Sequence, residues 1–167
     1  MSTPSTADKR EHLVSVLKDF NTAMLVTRTS EGNLRGRPMA LAEVQEDGRV
    51  YMCTSLHSEK QKELEDDPHV ALSVQGKTKF ASISGRATIN KERGLIHKLW
   101  KEDWKVWFPE GKDDPSLVLI EFDAVEGEYW DNGGARGVQF VVKAAKAYLT
   151  GERYEGADPD QNAKVRL

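Results

Sequence analysis

The chain has a single cysteine and no long apolar run. Cys53 therefore has no second cysteine with which to form an intramolecular disulfide among the 167 residues. No apolar stretch approaches the length needed to cross a membrane, and the first twelve residues, MSTPSTADKREH, contain no apolar segment of the signal-peptide kind. We therefore expect a soluble protein of a reducing cytoplasm, with no membrane partner.

An excess of either sign of charge is also absent. The 24 lysines and arginines are interspersed with 27 aspartates and glutamates, and the net charge is −3. Nucleic-acid binding requires a basic stripe or patch, so nucleic acid is not an expected partner. A chain of this length can bury a core in one domain without disulfides. We expect that domain over residues 6–151, between a disordered tail at 1–5 and a C-terminal tail at 152–167.

Common catalytic and metal-binding patterns are missing as well. The sequence has no GxSxG, GxGxxG or Walker motif. His12, His69 and His97 are scattered, and the pair Cys53 and His57 has no further Cys or His nearby to complete a zinc site. We therefore expect no metal, and we find no pair of groups arranged for proton transfer.

What the sequence does contain is a series of short strand-like segments. They read AMLVTR, LRGRPMALAEV, RVYMCT, VALSVQ, FASISGRATIN, LVLIEF and GEYW. Helices are predicted after the Ser5–Asp8 capping box, over SEKQKELEDD with a capping box of Ser58 and Gln61, over KERGLIHKLWKEDWKVWF and over RGVQFVVKAAKAYL. Because strands outnumber helices and the links are short, this order favours an antiparallel barrel over a doubly wound sheet.

The second and third predicted strands bring together residues suited to an anion. Arg35 and Arg37 are two apart and so share a face of their strand. The loop TSLHSEK then enters a helix, whose N-terminal N–H groups attract anions. That loop supplies three hydroxyl groups and a cation, from Thr54, Ser55, Ser58 and Lys60. An ordinary helix cap and two solvated arginines would give the same residues, and spacing alone does not decide between these interpretations.

Pro38 lies inside the second of these strands. Proline has no backbone N–H to donate to a sheet. The strand should therefore form an edge, contain a bulge or open toward a ligand at this point.

Several segments, taken in order, resemble a known family. RPMALA, YMCTS and SEK are similar to the flavin-binding split barrels related to pyridoxamine 5′-phosphate oxidase. KFASISGRA, WFPEGKDDPSLVLIEF and EYWDNGG resemble its general stress protein 26 type, so the resemblance covers about residues 8 to 150. It implies a mainly β (α+β) fold, a six- to seven-stranded antiparallel split β-barrel with flanking helices. It also implies a homodimer with one flavin in each of two clefts at the subunit interface.

The resemblance further implies roles for individual residues. The phosphate would be held by Arg37, Ser58 and Lys60, with hydrogen bonds to phosphate or ribityl oxygens from Thr54 and Ser55. The isoalloxazine would lie against Pro38, Met39 and Ala40, and would be closed over by Trp107, Phe108 and Trp130, some of them from the partner chain. The cofactor would be FMN, or the related FAD or riboflavin. Other branches of the superfamily bind a deazaflavin or haem, and that alternative stays open.

Three of the tryptophans have a second interpretation. Trp100, Trp104 and Trp107 have helical spacing, which also fits core packing or dimer contacts, so Trp130 is the stronger candidate for a ring wall.

The residues that bind the substrate in the oxidases are incomplete here. The oxidases bind their substrate with an Arg/His pattern after the strand tryptophan, but here only Arg136 follows, and Phe80 stands where they have a glutamine. The expected function is therefore either a flavin-dependent oxidoreductase of the stress-protein type or a non-catalytic flavin storage or sensing protein.

Overall fold

The structure is a computed structural model that describes residues 5–133, 146, 148–151 and 162–167. Its helices are α1 (Thr6–Lys18), α2 (Glu59–Asp66) and α3 (Arg93–Leu99), with 3₁₀ helices at Glu102–Val106 and Gly111–Asp113. Its strands are β1 (Thr22–Arg28), β2 (Leu34–Val44), β3 (Val50–Ser55), β4 (His69–Gln75), β5 (Lys79–Asn90), β6 (Leu117–Asp131) and β7 (Asn162–Arg166). None of the described helices is both long and apolar enough to span a membrane.

The strands form one antiparallel sheet that closes on itself. Their order is β3-β2-β1-β4-β5-β6-β7, and β3 also pairs with the first part of β6. Six strands thus make a closed barrel, and β7 extends the sheet as a seventh strand alongside the second part of β6. Closure removes the exposed edges that an open sheet would have. The predicted antiparallel split-barrel fold with flanking helices is confirmed.

The barrel is filled by the alternate side chains of its strands, with α1 packed against one end. Leu25, Leu72 and Phe122 have no exposed surface and belong to one core cluster. Leu13 and Leu17 of α1 pack into the same cluster. The predicted capping box starts this helix, since the Ser5 hydroxyl accepts from the Asp8 N–H and the Asp8 carboxylate accepts from the Ser5 N–H.

The predicted break between LVLIEF and GEYW is wrong, because β6 is a single strand of fifteen residues. Between the two segments, Asp123, Ala124 and Glu126 pair with β5 across an irregularity at Ser84 and Gly85, where Val125 has no partner in β5. A Cβ atom on Gly85 would lie 2.2 Å from the carbonyl oxygen of Asp123. Glycine therefore allows the two backbones to approach at this bulge, and the strand continues across it.

The prediction of a disordered tail is wrong for residues 162–166. They form β7, whose Ala163 and Val165 are buried against the barrel core. The alternation of apolar and charged residues in NAKVR is a strand pattern, but it is too short to stand out in a polar segment. The helix predicted over RGVQFVVKAAKAYL lies mostly outside the described residues.

The predicted helix over KERGLIHKLWKEDWKVWF is also wrong in part. α3 ends at Leu99, Trp100 is extended with φ −54° and ψ 136°, and a 3₁₀ helix follows. The tryptophans therefore do not share one helical face. Trp104 is only 2% exposed in a second apolar cluster, so the core interpretation is confirmed for it, whereas Trp107 is 64% exposed.

Candidate functional site

The strands β2 and β3 separate along half of their length. They pair from Val44 to Leu41, with a register shift between Glu43 and Leu41. Residues 34–40 of β2 pair with β1 on one side, and no described strand pairs with their other side. Lys101 Nζ donates to the Leu41 carbonyl oxygen at 2.9 Å, where the two strands part. The expectation for Pro38 named an edge, a bulge or an opening toward a ligand, and the structure shows an edge at this point.

Pro38 fits this open edge without the loss of a sheet hydrogen bond. The Leu41 N–H donates to the Asn21 carbonyl oxygen at 2.9 Å, and antiparallel pairs alternate between bonded and non-bonded. By that alternation Pro38 and Ala40 direct their backbone groups away from β1, toward the opening. The Met39 side chain is buried in the core and, by the same alternation, its backbone groups face β1, so Met39 directs no polar group toward the opening.

Arg37 is held in a buried cluster with Thr27 and Glu63. Its guanidinium donates to Thr27 Oγ1 at 2.7 Å and to the Glu63 carboxylate at 2.8 Å. Thr27 Oγ1 in turn donates to Glu63 at 2.6 Å. Burial alone would raise the pKa of Glu63, but the hydrogen bonds from Thr27 and Arg37 bring it below its ordinary value. Glu63 is therefore a buried, charged carboxylate, which the sequence analysis did not single out.

Arg35 lies on the same face of β2, as expected from its spacing. It forms ion pairs with Glu59 at 2.8 Å and with Glu63 at 3.5 Å. Both glutamates belong to α2 and are four residues apart, so they occupy one face of that helix. This spacing of two acids opposite two arginines was the available sequence signal for Glu63.

Lys60 is a half-buried cation beside Arg37. Among the described residues, no carboxylate lies within ion-pair distance of its ammonium group. Burial lowers the pKa of Lys60, and the positive charge of Arg37 lowers it further. Both effects disfavour the charged form of Lys60. An anion placed between Lys60 and Arg37 would offset the repulsion between the two cations.

The hydroxyl groups lie where β3 passes into α2. Thr54 Oγ1 and Ser58 Oγ are 3.3 Å apart, and Ser55 Oγ accepts from the His57 N–H at 3.3 Å. Ser58 is the N-cap residue of α2, but its side chain makes no capping hydrogen bond. The predicted capping box with Gln61 is therefore wrong, because the Gln61 side chain donates to Glu65 instead. The Ser58 hydroxyl remains outside the helix cap.

The three aromatic candidates occupy different places. Trp107 is exposed next to Val106, whereas Phe108 is buried in the second apolar cluster and is only 4% exposed. Trp130 lies near the end of β6, thirteen residues beyond Leu117, which pairs with Ser55. One chain therefore does not bring Trp130 close to Lys60. The roles of these three residues toward a ring remain predictions.

Trp130 lines a cavity of about 440 Å³ on the outer face of β5, β6 and β7. The cavity also contains two cations from β7, Lys164 and Arg166. Both cations lie in the segment that was predicted as a disordered tail, and Arg136, the cation expected near the tryptophan, lies outside the described residues. In the sheet, Lys164 is opposite Glu128 and Arg166 is opposite Glu126, so the cavity carries both signs of charge.

Side chains able to transfer protons do occur in the part of the chain that the structure describes, for example His12 and Asp131 at 3.0 Å, a pair that was not predicted from the sequence. No group of three or more His, Cys, Asp or Glu residues is arranged to hold a metal there. Burial raises the pKa of the Cys53 thiol to about 11, so this thiol stays protonated at neutral pH. Cys53 is thus suited to packing rather than to nucleophilic attack.

Comparison with known proteins identifies relatives over most of the chain. The sequence model of the family described as pyridoxamine 5′-phosphate oxidase like matches residues 8–155. General stress protein 26 of Bacillus subtilis is 29% identical over 122 residues, which are 70% of this chain and 84% of that protein.

Solved structures share the fold. A crystal structure from Jannaschia sp. CCS1 has a TM-score of 0.76 at 24% identity, over 96% of this chain and 99% of that one. The general stress FMN/FAD binding protein from Xanthomonas citri has a TM-score of 0.65 at 27% identity, over 75% of this chain and 90% of that one. The chain therefore belongs to the pyridoxamine 5′-phosphate oxidase-like family and is of the general stress protein 26 type.

Proposed function

We propose that this protein binds a flavin, FMN in the first instance, at the opening between β2 and β3. The observation that carries the proposal is the pair of neighbouring cations, Arg37 and Lys60, of which Lys60 has no carboxylate at ion-pair distance. The first N–H groups of α2 and the hydroxyls of Thr54, Ser55 and Ser58 lie on the adjoining segment. Charged donors, hydroxyls and a helix N-terminus together are suited to a phosphate group.

The ring system would lie along the open edge of β2. Pro38 and Ala40 direct backbone groups into the opening, where the pyrimidine part of an isoalloxazine could pair with them. A site for a flat ligand is typically apolar with a few fixed polar groups, and this edge has that composition. The chemistry when a flavin is bound is electron transfer by the ring, and the residues of this chain would hold and orient it. The similarity to an FMN/FAD binding protein supports this assignment.

A second copy of the chain would complete the site. The outer face of the barrel exposes apolar side chains, with Met24 41%, Leu34 70% and Val125 51% exposed. A cavity of about 500 Å³ on this face is lined in part by Val26, Leu34 and Val125. Contiguous exposed apolar surface of this kind is typical of an interface. We propose that two copies pair through this face and that each brings its Trp130 toward the flavin of the other.

Purified protein titrated with FMN, FAD and riboflavin tests the proposal. We expect micromolar or tighter binding of at least FMN, followed by the flavin absorbance spectrum. A chain that binds none of the three in this range would overturn flavin binding as the function. Mass spectrometry of the ligand released from natively purified protein would identify a deazaflavin or haem instead.

The bound flavin has two candidate roles. In the first, the protein is a flavin-dependent oxidoreductase of the stress-protein type. A non-catalytic storage or sensing role is the second, and the missing Arg/His substrate grip favours it. Anaerobic reduction of the bound flavin by NADH or NADPH separates them. Reduction faster than that of free flavin supports the enzyme, and reduction no faster than free flavin supports storage.

A further inference from the structure

A buried carboxylate lies among the cations of the proposed phosphate site. The side chain of Glu63 is 9% exposed and contacts Arg37 at 2.8 Å and Arg35 at 3.5 Å. Its third partner is the hydroxyl of Thr27, which has no exposed surface. A carboxylate in this position reduces the positive charge that an incoming anion would meet.

The balance of charge at the site can be read from these contacts. Arg35, Arg37 and Lys60 supply three positive charges, and Glu59 and Glu63 remove two of them, so one remains. Glu59 is 81% exposed, and solvent screens its charge. Glu63 is buried and is not screened to the same extent, so it has the larger effect on an anion at the site.

A phosphate monoester and a phosphate diester differ in charge by about one unit at pH 7. A terminal phosphate monoester carries about −1.5 to −2 at pH 7, since its second pKa is near 6. A phosphate esterified on both sides carries one negative charge at the same pH. A dianion gains more from such a site than a monoanion does, but the difference is about half of what a site with two net positive charges would give.

We propose that Glu63 is a specificity-determining residue that keeps the positive charge of this phosphate site low. Glu63 thereby reduces the advantage that the dianionic phosphate of FMN has over a singly charged phosphate, as in the diphosphate linkage of FAD. This inference rests on the flavin binding proposed above and adds to it the residue that sets the choice between phosphate types.

Replacement of Glu63 by Gln isolates the charge. A glutamine carbonyl oxygen at the Oε2 position can still accept from the Thr27 hydroxyl and from Arg37, whereas the NH₂ group at the Oε1 position cannot accept from the arginines. The size of the side chain is unchanged. The change removes one buried negative charge close to the proposed phosphate position. FMN, its methyl phosphodiester and riboflavin form a matched ligand series with two, one and no phosphate charges.

Calorimetric titration of the wild type and of Glu63→Gln with these three ligands, at pH 7.5 and low salt, tests the proposal. We expect the wild type to bind FMN more tightly than the methyl ester, because the dianion gains more from the remaining positive charge. In Glu63→Gln the affinity for FMN should rise by about fivefold or more relative to the methyl ester, and riboflavin should change little. An unchanged ratio of FMN to methyl ester, or a loss of FMN affinity, would overturn the inference.

Two further variants control for other effects. Glu65→Gln makes the same change of net charge on the solvent-facing side of α2 and should leave the ratio unchanged. Glu63→Asp keeps the negative charge and should keep the wild-type ratio. Thermal unfolding of each variant checks that it is folded. If Glu63→Gln does not fold, Glu59→Gln removes the other carboxylate of the site at an exposed position; at low salt its ratio of FMN to methyl ester affinity should rise by a smaller factor, and an unchanged ratio would overturn the inference.

Failure of the inference can be told apart from failure of the proposed function. A wild-type chain that binds none of the three flavins overturns both. A wild-type chain that binds them, with a Glu63→Gln variant whose ratio is the same, overturns only the role of Glu63.

Discussion

At the scale of single residues, the site combines what the sequence indicated with a residue that it did not. Arg37 and Lys60 could be named from a strand pattern and a helix start, because both are local signals. Glu63 could not be assigned a role from the sequence, since its partners Thr27 and Arg37 lie 36 and 26 residues away. Contacts between residues so far apart in the sequence depend on the register of β1 with β2 and on how α2 packs across these strands.

Removal of the Lys60 ammonium group should weaken phosphate binding selectively. In Lys60→Ala we expect a loss of about 1–3 kcal/mol for FMN, because a charged hydrogen bond to the phosphate is lost, and a smaller loss for riboflavin. Titration with both flavins measures the difference. Lys62→Ala, at an exposed lysine of the same helix, should change neither. Equal losses for the two flavins would place Lys60 away from the phosphate.

At the scale of helices and strands, the sequence predicted elements whose pattern is long and regular. The alternation in β1, β4 and β5 is complete, and these strands lie where they were predicted. Errors came where a long-range contact overrides a local signal. The segments LVLIEF and GEYW were predicted as two strands, but pairing with β5 continues across the residues between them and makes one strand. The strand β7 forms by pairing with the edge of β6, and its short sequence pattern alone did not indicate it.

Gly85 should be essential for the close approach of β5 and β6. Gly85→Ala would place a Cβ 2.2 Å from the Asp123 carbonyl oxygen and 2.7 Å from the ring of Phe122, so the backbone must shift. We expect a loss of about 2 kcal/mol or more in the free energy of unfolding, measured by urea denaturation. Gly94→Ala is the matched control, because a Cβ there meets only the mobile side chain of Glu92 and α3 favours alanine. A Gly85→Ala variant as stable as the wild type would show that the strands can separate at no cost.

The last strand should contribute to stability through one face only. Val165 is 4% exposed in the core cluster, whereas its neighbour Lys164 is exposed. Val165→Ala should lower the free energy of unfolding by about 1–3 kcal/mol, because buried apolar surface is lost. Lys164→Ala should change it by less than about 0.5 kcal/mol. Equal effects of the two substitutions would contradict the pairing of β7 with β6.

At the scale of the whole molecule, one chain supplies two separated parts of the proposed site. The cations and hydroxyls lie at the start of β6, and Trp130 lies near its end. The family resemblance supplied a second chain as the way to unite them, and no local pattern could have done so. The apolar outer face around Leu34 and Val125 is the surface that would carry this pairing.

A charge on that outer face should separate the two copies. Leu34→Asp places a carboxylate on the proposed interface, so we expect a monomer by size-exclusion chromatography with light scattering. Flavin affinity should fall as well, although the variant keeps Arg37, Ser58 and Lys60. Asn33→Asp adds the same charge in the neighbouring turn and should leave the dimer intact. A Leu34→Asp variant that stays dimeric and binds flavin normally would move the interface elsewhere.

The opening beside β2 also bears on aggregation. An uncovered strand edge is a template on which a foreign peptide can add as a further strand. Pro38 has no N–H to offer such a peptide, and the neighbouring arginines are tied to glutamates of α2. A complete ladder of backbone hydrogen bonds therefore cannot form along this stretch. The proline on this uncovered edge thus protects the barrel from polymerisation.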